Sequence, residues 1–191
     1  MLSDLITSRV RVKILTLLLS KPDVLYHVRE IVRQTDEEIN AVRRELSQME
    51  KRGMVGKEPR ANRLYYSFRK TYPLYYELLE LIAKTSGIGG SILKLKTKLG
   101  KVKFVMLSGY LVRGVKHDPD GIDLLVVGTV VLPELAQLVK QEEAVRTKEI
   151  NYTVMTEDEF SFRKRRRDPF ILEILSGPRV MIIGDEAELV S

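Results

Sequence analysis

The chain has 191 residues, of which 44% are hydrophobic and 30% charged, so it can hold one large domain or two small ones around an apolar core. It has no cysteine, which excludes disulfides, thiolate zinc sites and cysteine nucleophiles. No apolar run approaches the ~20 residues of a bilayer span, and the opening "MLSDLITSRVRVK" lacks a signal-peptide layout. The expectation is a cytoplasmic protein with no membrane partner.

The net charge of +6 is unevenly placed. Residues 1–70 carry 15 Lys+Arg against 9 Asp+Glu, whereas residues 71–191 carry 17 of each. The excess therefore belongs to the first third, as it would in a segment that meets a polyanion.

Within that third, "SRVRVKILTLLLS" places Val10, Ile14, Leu17 and Leu18 at helical spacing, with Arg9, Arg11 and Lys13 between them. Pro22 ends this helix. "LYHVREIVRQT" sets Val28, Ile31 and Val32 on a second apolar stripe, with His27 as a surface or packing side chain. "TDEEINAVRRELSQMEKRG" predicts a third helix, capped by Thr35 or Asp36, acidic in its first turn and stopped by Gly53. Ile39, Val42, Leu46 and Met49 form its inward face, while Asn40, Arg43, Arg44 and Gln48 look outward. "MVGKEPRANRLYYSFRK" then predicts a hairpin, with Pro59, Ala61 and Asn62 in the turn and an alternating strand through Leu64, Tyr66 and Phe68. Tyr65, Tyr66 and Phe68 are expected to pack the hairpin. An exposed helix with Arg and Asn fits the DNA major groove, and a basic hairpin beside it can grip the backbone.

Three short helices followed by a hairpin give the layout of a winged helix-turn-helix. Residues 8–69 resemble winged-helix regulators of the ArsR/MarR type, through "SRVRVKILTLLL", "YHVREIVRQTDEEINAVRRELSQMEKRGMV" and "NRLYYSF". The resemblance implies binding to double-stranded DNA, normally as a homodimer on a palindrome. It puts Asn40, Ala41, Arg43, Arg44 and Gln48 on the recognition helix, and Lys57, Arg60 and Arg63 on the wing.

Residues 72–100 read as a helical connector. Leu74, Leu78, Leu79 and Ile82 stripe a first helix, apolar enough to serve as a dimerisation element. "SGIGG" at 86–90 interrupts it as a joint between domains, and Ile92, Leu95 and Leu99 stripe a second helix. The glycines follow a helix and precede no Gly-Lys-Ser/Thr, so they lack the setting of a phosphate loop.

In residues 101–191, "KFVMLSG" and "IDLLVVG" are continuous apolar runs that predict buried strands. "LPELAQLVKQEEAV" predicts a helix and "KEINYTVMT" a strand with Glu149 and Asn151 on one face. "EDEFSFRKRRR" and "DPFILEIL" predict helices, and "RVMIIG" a last strand. The whole is α+β, with an α/β second domain built on a mixed sheet.

Residues 101–184 resemble the minimal nucleotidyltransferases. "SGYLVRG" stands where that family carries Gly-Ser-x-x-x-x-Gly, and "DGIDLLVVG" where it carries Ser-Asp-x-Asp. The resemblance implies a Gly-Ser turn on triphosphate oxygens and two Asp side chains, aligned on a strand, sharing two Mg²⁺ ions with a third acid. Here Gly121 takes the first Asp position, Asp120 is three residues from Asp123, the turn is inverted to Ser108-Gly109, and only Glu149 could be the third acid. Ser108, Gly109, Asp123 and Glu149 are thus candidates for residual nucleotide binding, with no catalytic residue and no metal or cofactor expected. His117 reads as a surface histidine. The basic run at 162–167 is either a solvated helix or an anion site.

The expected protein is a DNA-binding transcriptional regulator whose second domain is an inactive sensor or dimerisation module, open to a small anionic or nucleotide effector. The alternative is an active metal-dependent nucleotidyltransferase, using Mg²⁺ and nucleotide, whose winged helix positions its substrate.

Overall fold

The computed structural model describes residues 2–115 and 121–191. The architecture is α+β, in two compact units of residues 1–85 and 86–191.

The first unit begins with α1 (Leu2–Leu5) and α2 (Arg9–Ser20). Ser8 caps α2 by accepting the Arg11 N–H at 3.2 Å. The buried stripe of α2 is Ile14, Leu15, Leu18 and Leu19, rotated from the expected one because Leu15 and Leu19 turn inward while Leu17 is only half-buried. A two-residue strand, β1 (Tyr26–His27), leads into α3 (Val28–Thr35) and then α4 (Ile39–Lys51).

The start of α4 differs from expectation. Thr35 is the buried last residue of α3, its hydroxyl donating to the Ile31 carbonyl, and Asp36 ends that helix in a left-handed conformation. Glu38 is the cap, accepting the Ala41 N–H at 2.9 Å. At the other end Gly53, with φ of 74°, stops the helix as its type allows. Val42, Leu46 and Met49 are buried and Ile39 half-buried.

Strands β2 (Val55–Arg60) and β3 (Arg63–Phe68) pair antiparallel around a two-residue turn of Ala61 and Asn62. Pro59 lies in β2 opposite Leu64, not in the turn. The sheet order β1-β3-β2 makes β2 an edge, where a residue without an N–H is tolerated. Helix α5 (Tyr75–Thr85) buries Tyr75, Leu79 and Ile82 and packs on α2. It is thus part of the first unit's core, and the division between units falls inside the stretch expected to be a connector.

The second unit opens with α6 (Gly87–Lys94). The expected glycine break at 86–90 is instead the first turn of this helix, with Ile88, Gly89 and Gly90 buried. Next come β4 (Gly100–Ser108), α7 (Gly109–Arg113), β5 (Leu124–Val130) and α8 (Leu132–Arg146). Then follow β6 (Tyr152–Met155), α9 (Glu157–Arg165), α10 (Pro169–Ser176), β7 (Arg179–Ile183) and α11 (Glu186–Val190).

The sheet has order β6-β5-β4-β7, with β5 parallel to β6 and the other pairs antiparallel. It is mixed, as expected. Phe104, Met106, Leu125, Val127 and Met155 cluster on one face with Phe160, Ile171 and Leu189 of α9, α10 and α11. Val105, Leu107, Leu124 and Val126 alternate with them and are equally buried, which explains the unbroken apolar runs. Among the described residues, no helix is long and apolar enough to cross a membrane.

Candidate nucleic-acid interface

Much of the positive charge in the first unit is spent internally. Lys13 and Arg9 both hold Glu37, at 2.8 and 2.9 Å. Arg11 holds Glu45 at 2.8 Å, and Ser8 donates to the same carboxylate at 2.6 Å. These bonds pin α4 and the residues leading into it to α2 and its cap, so the outer face of α4 is set on a fixed base.

That outer face carries Asn40, Arg43, Arg44 and Gln48, all exposed. Their spacing of three, four and eight residues from Asn40 aligns them along one side of the helix. Gln48 is brushed by the Arg11 guanidinium at 3.5 Å. Ala41 is half-buried and gives its N–H to the helix cap. The N–H groups of Asn40 and Ala41 hold the Glu38 carboxyl below the ordinary carboxylate range, as the donor end of a helix should.

Beside α4 runs an open groove of about 1010 Å³, lined by α3, α4 and β3. Arg29 and Arg33 reach it from α3, Arg43 from α4, and Asn62 and Arg63 from the hairpin. Against these four guanidinium groups the lining holds one carboxylate, Glu30. Among the described residues, none of Arg29, Arg33, Arg43, Arg44 and Arg63 has a carboxylate at ion-pair distance. Sequence reasoning missed Arg29 and Arg33. The signal was there, since they are four apart on the polar side of α3 and so share a face.

His27 caps α3, its Nδ1 accepting the Arg29 N–H at 3.3 Å, and its ring lies 5.7 Å from Tyr65. Tyr66 and Phe68 are buried as hairpin packing. The other two hairpin cations differ from Arg63: Lys57 is paired with Glu50 and Arg60 with Glu58, both at 2.8 Å. Glu50 raises the Lys57 pKa and Glu58 raises that of Arg60.

In the second unit, Ser108 and Asp123 do come together: the Ser108 N–H donates to the Asp123 carbonyl at 2.8 Å. The Ser108 hydroxyl accepts the Tyr110 N–H at 3.2 Å and so caps α7. Asp123 is 2% exposed, and its Oδ2 accepts the Asn151 N–H at 3.2 Å, tying the start of β5 to that of β6. The Asn151 amide donates to the Gly121 carbonyl at 3.3 Å. Glu149 and Asn151 both lie before β6, exposed, rather than on one face of the strand as expected. The strand is shorter than expected because Ile150 turns inward and gives its N–H to Glu143 at 2.9 Å. His117 and Asp120 lie outside the described residues.

The basic run finds a structural role at the end of α9. Glu157, Asp158 and Glu159 fill the first turn and Arg163, Lys164 and Arg165 the last, matching the helix dipole at both ends.

No family model, curated protein or solved structure matches the chain.

Proposed function

We propose that this chain is a DNA-binding regulator whose residues 1–71 act as a winged helix on duplex DNA. The observation that carries the reading is the groove in which Arg29, Arg33, Arg43 and Arg63 converge from three elements against a single carboxylate. Like-charged side chains that outnumber their counter-charges raise a folded protein's energy, and a phosphate backbone relieves that cost. In this account Arg43, Arg44, Asn40 and Gln48 of α4 face base edges. Arg29, Arg33 and Arg63 hold phosphates on one side, and Lys57 and Arg60 join once phosphates compete with Glu50 and Glu58.

Residues 101–191 are read as a nucleotidyltransferase-like scaffold that does not transfer nucleotides. The donor set does not fit a pair of Mg²⁺ ions. Position 121 has no carboxylate, the Asp123 carboxylate is buried on a backbone N–H, and Glu149 stands outside the strand that would align it. Two-metal chemistry needs carboxylates that bridge and aim both ions.

The functional form is proposed to be a cytoplasmic homodimer. Its mass in light scattering should then be about twice the 21.9 kDa of the chain, and a monomer mass would remove the dimer. The test of the main reading is fluorescence anisotropy of labelled duplex DNA with the full chain. Binding should be saturable, weaken steeply with salt, and tighten on a selected sequence. Affinity that is flat between low and high salt would overturn it.

A further inference from the structure

We propose that a second opening, of about 760 Å³ in residues 86–191, is a binding site for a small organic anion with an apolar body and a carboxylate or phosphate head. It is independent of the DNA reading.

Its floor is the rings of Phe104 and Phe160, and its walls are Leu172 and Leu175 of α10. Leu172 is 46% exposed, so an apolar wall faces water. The volume lies within the range of small-ligand sites, and such sites pair an apolar lining with a few placed polar groups.

The polar groups are cations. Lys103, Lys164, Arg165 and Arg167 border the opening, and the acidic side chain in the lining is Glu188, with Ser191 beside it. Lys103 is satisfied, with Glu188 at 2.7 Å and Glu157 at 3.7 Å. The others are not. Arg165 and Arg167 are exposed and have no carboxylate at ion-pair distance among the described residues. Lys164 gives one of its three donors to the Leu189 carbonyl at 2.7 Å and lies 5.7 Å from the Phe160 ring. Burial holds its pKa below the ordinary lysine value, against the opposing pull of Glu188 and with a smaller push from Lys103, so a bound anion would stabilise its charge.

The dipole of α9 explains cations in its last turn, yet it does not explain Arg167. That residue lies beyond the helix with φ of 53°, a conformation that glycine adopts without strain. An arginine there brings a guanidinium to the opening at a conformational cost. The chemistry that matches the whole is an anionic head on Arg165, Arg167 and Lys164, with an apolar body over Phe160 and Leu172.

The test is a titration of the full chain, carrying ¹³C-labelled leucine methyls, with 1-naphthoate, 1-naphthyl phosphate and neutral 1-naphthol. The proposal expects saturable shifts at Leu172 and Leu175 with either anion and weak or no shifts with naphthol. The tighter anion identifies the head. Arg165→Gln with Arg167→Gln should weaken that anion by about tenfold or more, whereas Arg43→Ala with Arg63→Ala should leave it unchanged. Equal binding of naphthol, or shifts at Leu64 in place of Leu172 and Leu175, overturns the proposal whatever the outcome with DNA. Undiminished affinity in the Arg165 and Arg167 variant overturns it as well.

Discussion

The N–H of Gly109 donates to the carbonyl of Pro178 at 2.6 Å, and a β-carbon built on Gly109 would stand 2.7 Å from that of Pro178. The glycine is therefore fixed by the close passage of β7's leading turn, and the inverted Ser108-Gly109 order is a packing requirement of this chain. Exchanging the two residues to restore a Gly-Ser turn pushes a side chain into the Pro178 backbone, 2.9 Å away. Gly109→Ala should lower stability by about 1–3 kcal/mol, as overpacking does, measured by urea denaturation. A variant as stable as the parent would show that the turn can give way.

Asp123 is expected to matter for folding and not for turnover. Asp123→Ala leaves the Asn151 N–H without this acceptor and should cost about 1–3 kcal/mol. Neither parent nor variant should move labelled nucleotide onto itself, RNA or a partner protein with Mg²⁺ or Mn²⁺. Transfer by the parent that Asp123→Ala abolishes would make the protein an enzyme.

Glu50 is expected to restrain DNA binding. Its carboxylate occupies Lys57 at 2.8 Å, and a phosphate must displace it. Glu50→Gln should therefore tighten duplex binding, with the salt dependence steepened by at most about one counterion. Weaker binding by the variant would place Lys57 away from DNA.

Acid should loosen the first unit as pH falls through and below the ordinary carboxylate range. Lys13 and Arg9 hold the Glu37 carboxyl low, and backbone N–H groups hold Glu38 low. A depressed pKa adds stability that is present above the unfolded value and lost as pH falls through the folded one. Denaturation of the parent below neutral pH should show this loss, and Glu37→Gln should flatten it. Equal slopes for the two would remove Glu37 from the account.

How much of this was legible in the sequence depends on the range of the interaction. The inner face of α4, its outward Arg43 and Arg44 and the stop at Gly53 follow from a 3.6-residue period and one left-handed position. The buried strands follow from unbroken apolar runs. By contrast, β1 is two residues long and exists only because Tyr26 and His27 pair with Tyr66 and Tyr65, which no local pattern announces. The glycines at 87–90 look like a break, yet they open α6 because packing outweighs their poor helix propensity. The groove itself was invisible, since Arg29 and Arg33, four apart on α3, meet Arg43 and Arg63 only in the fold.

The most direct test is the salt dependence of duplex binding in Arg29→Ala with Arg63→Ala, since these two arginines are assigned to phosphates alone. The slope of log affinity against log salt should fall by about two, with affinity reduced by a similar factor on every duplex sequence. Arg43→Ala should instead cost on the order of 1–3 kcal/mol on the best sequence and blunt selectivity. If the double variant binds with the parent's slope and affinity, DNA does not enter the groove and the central claim fails.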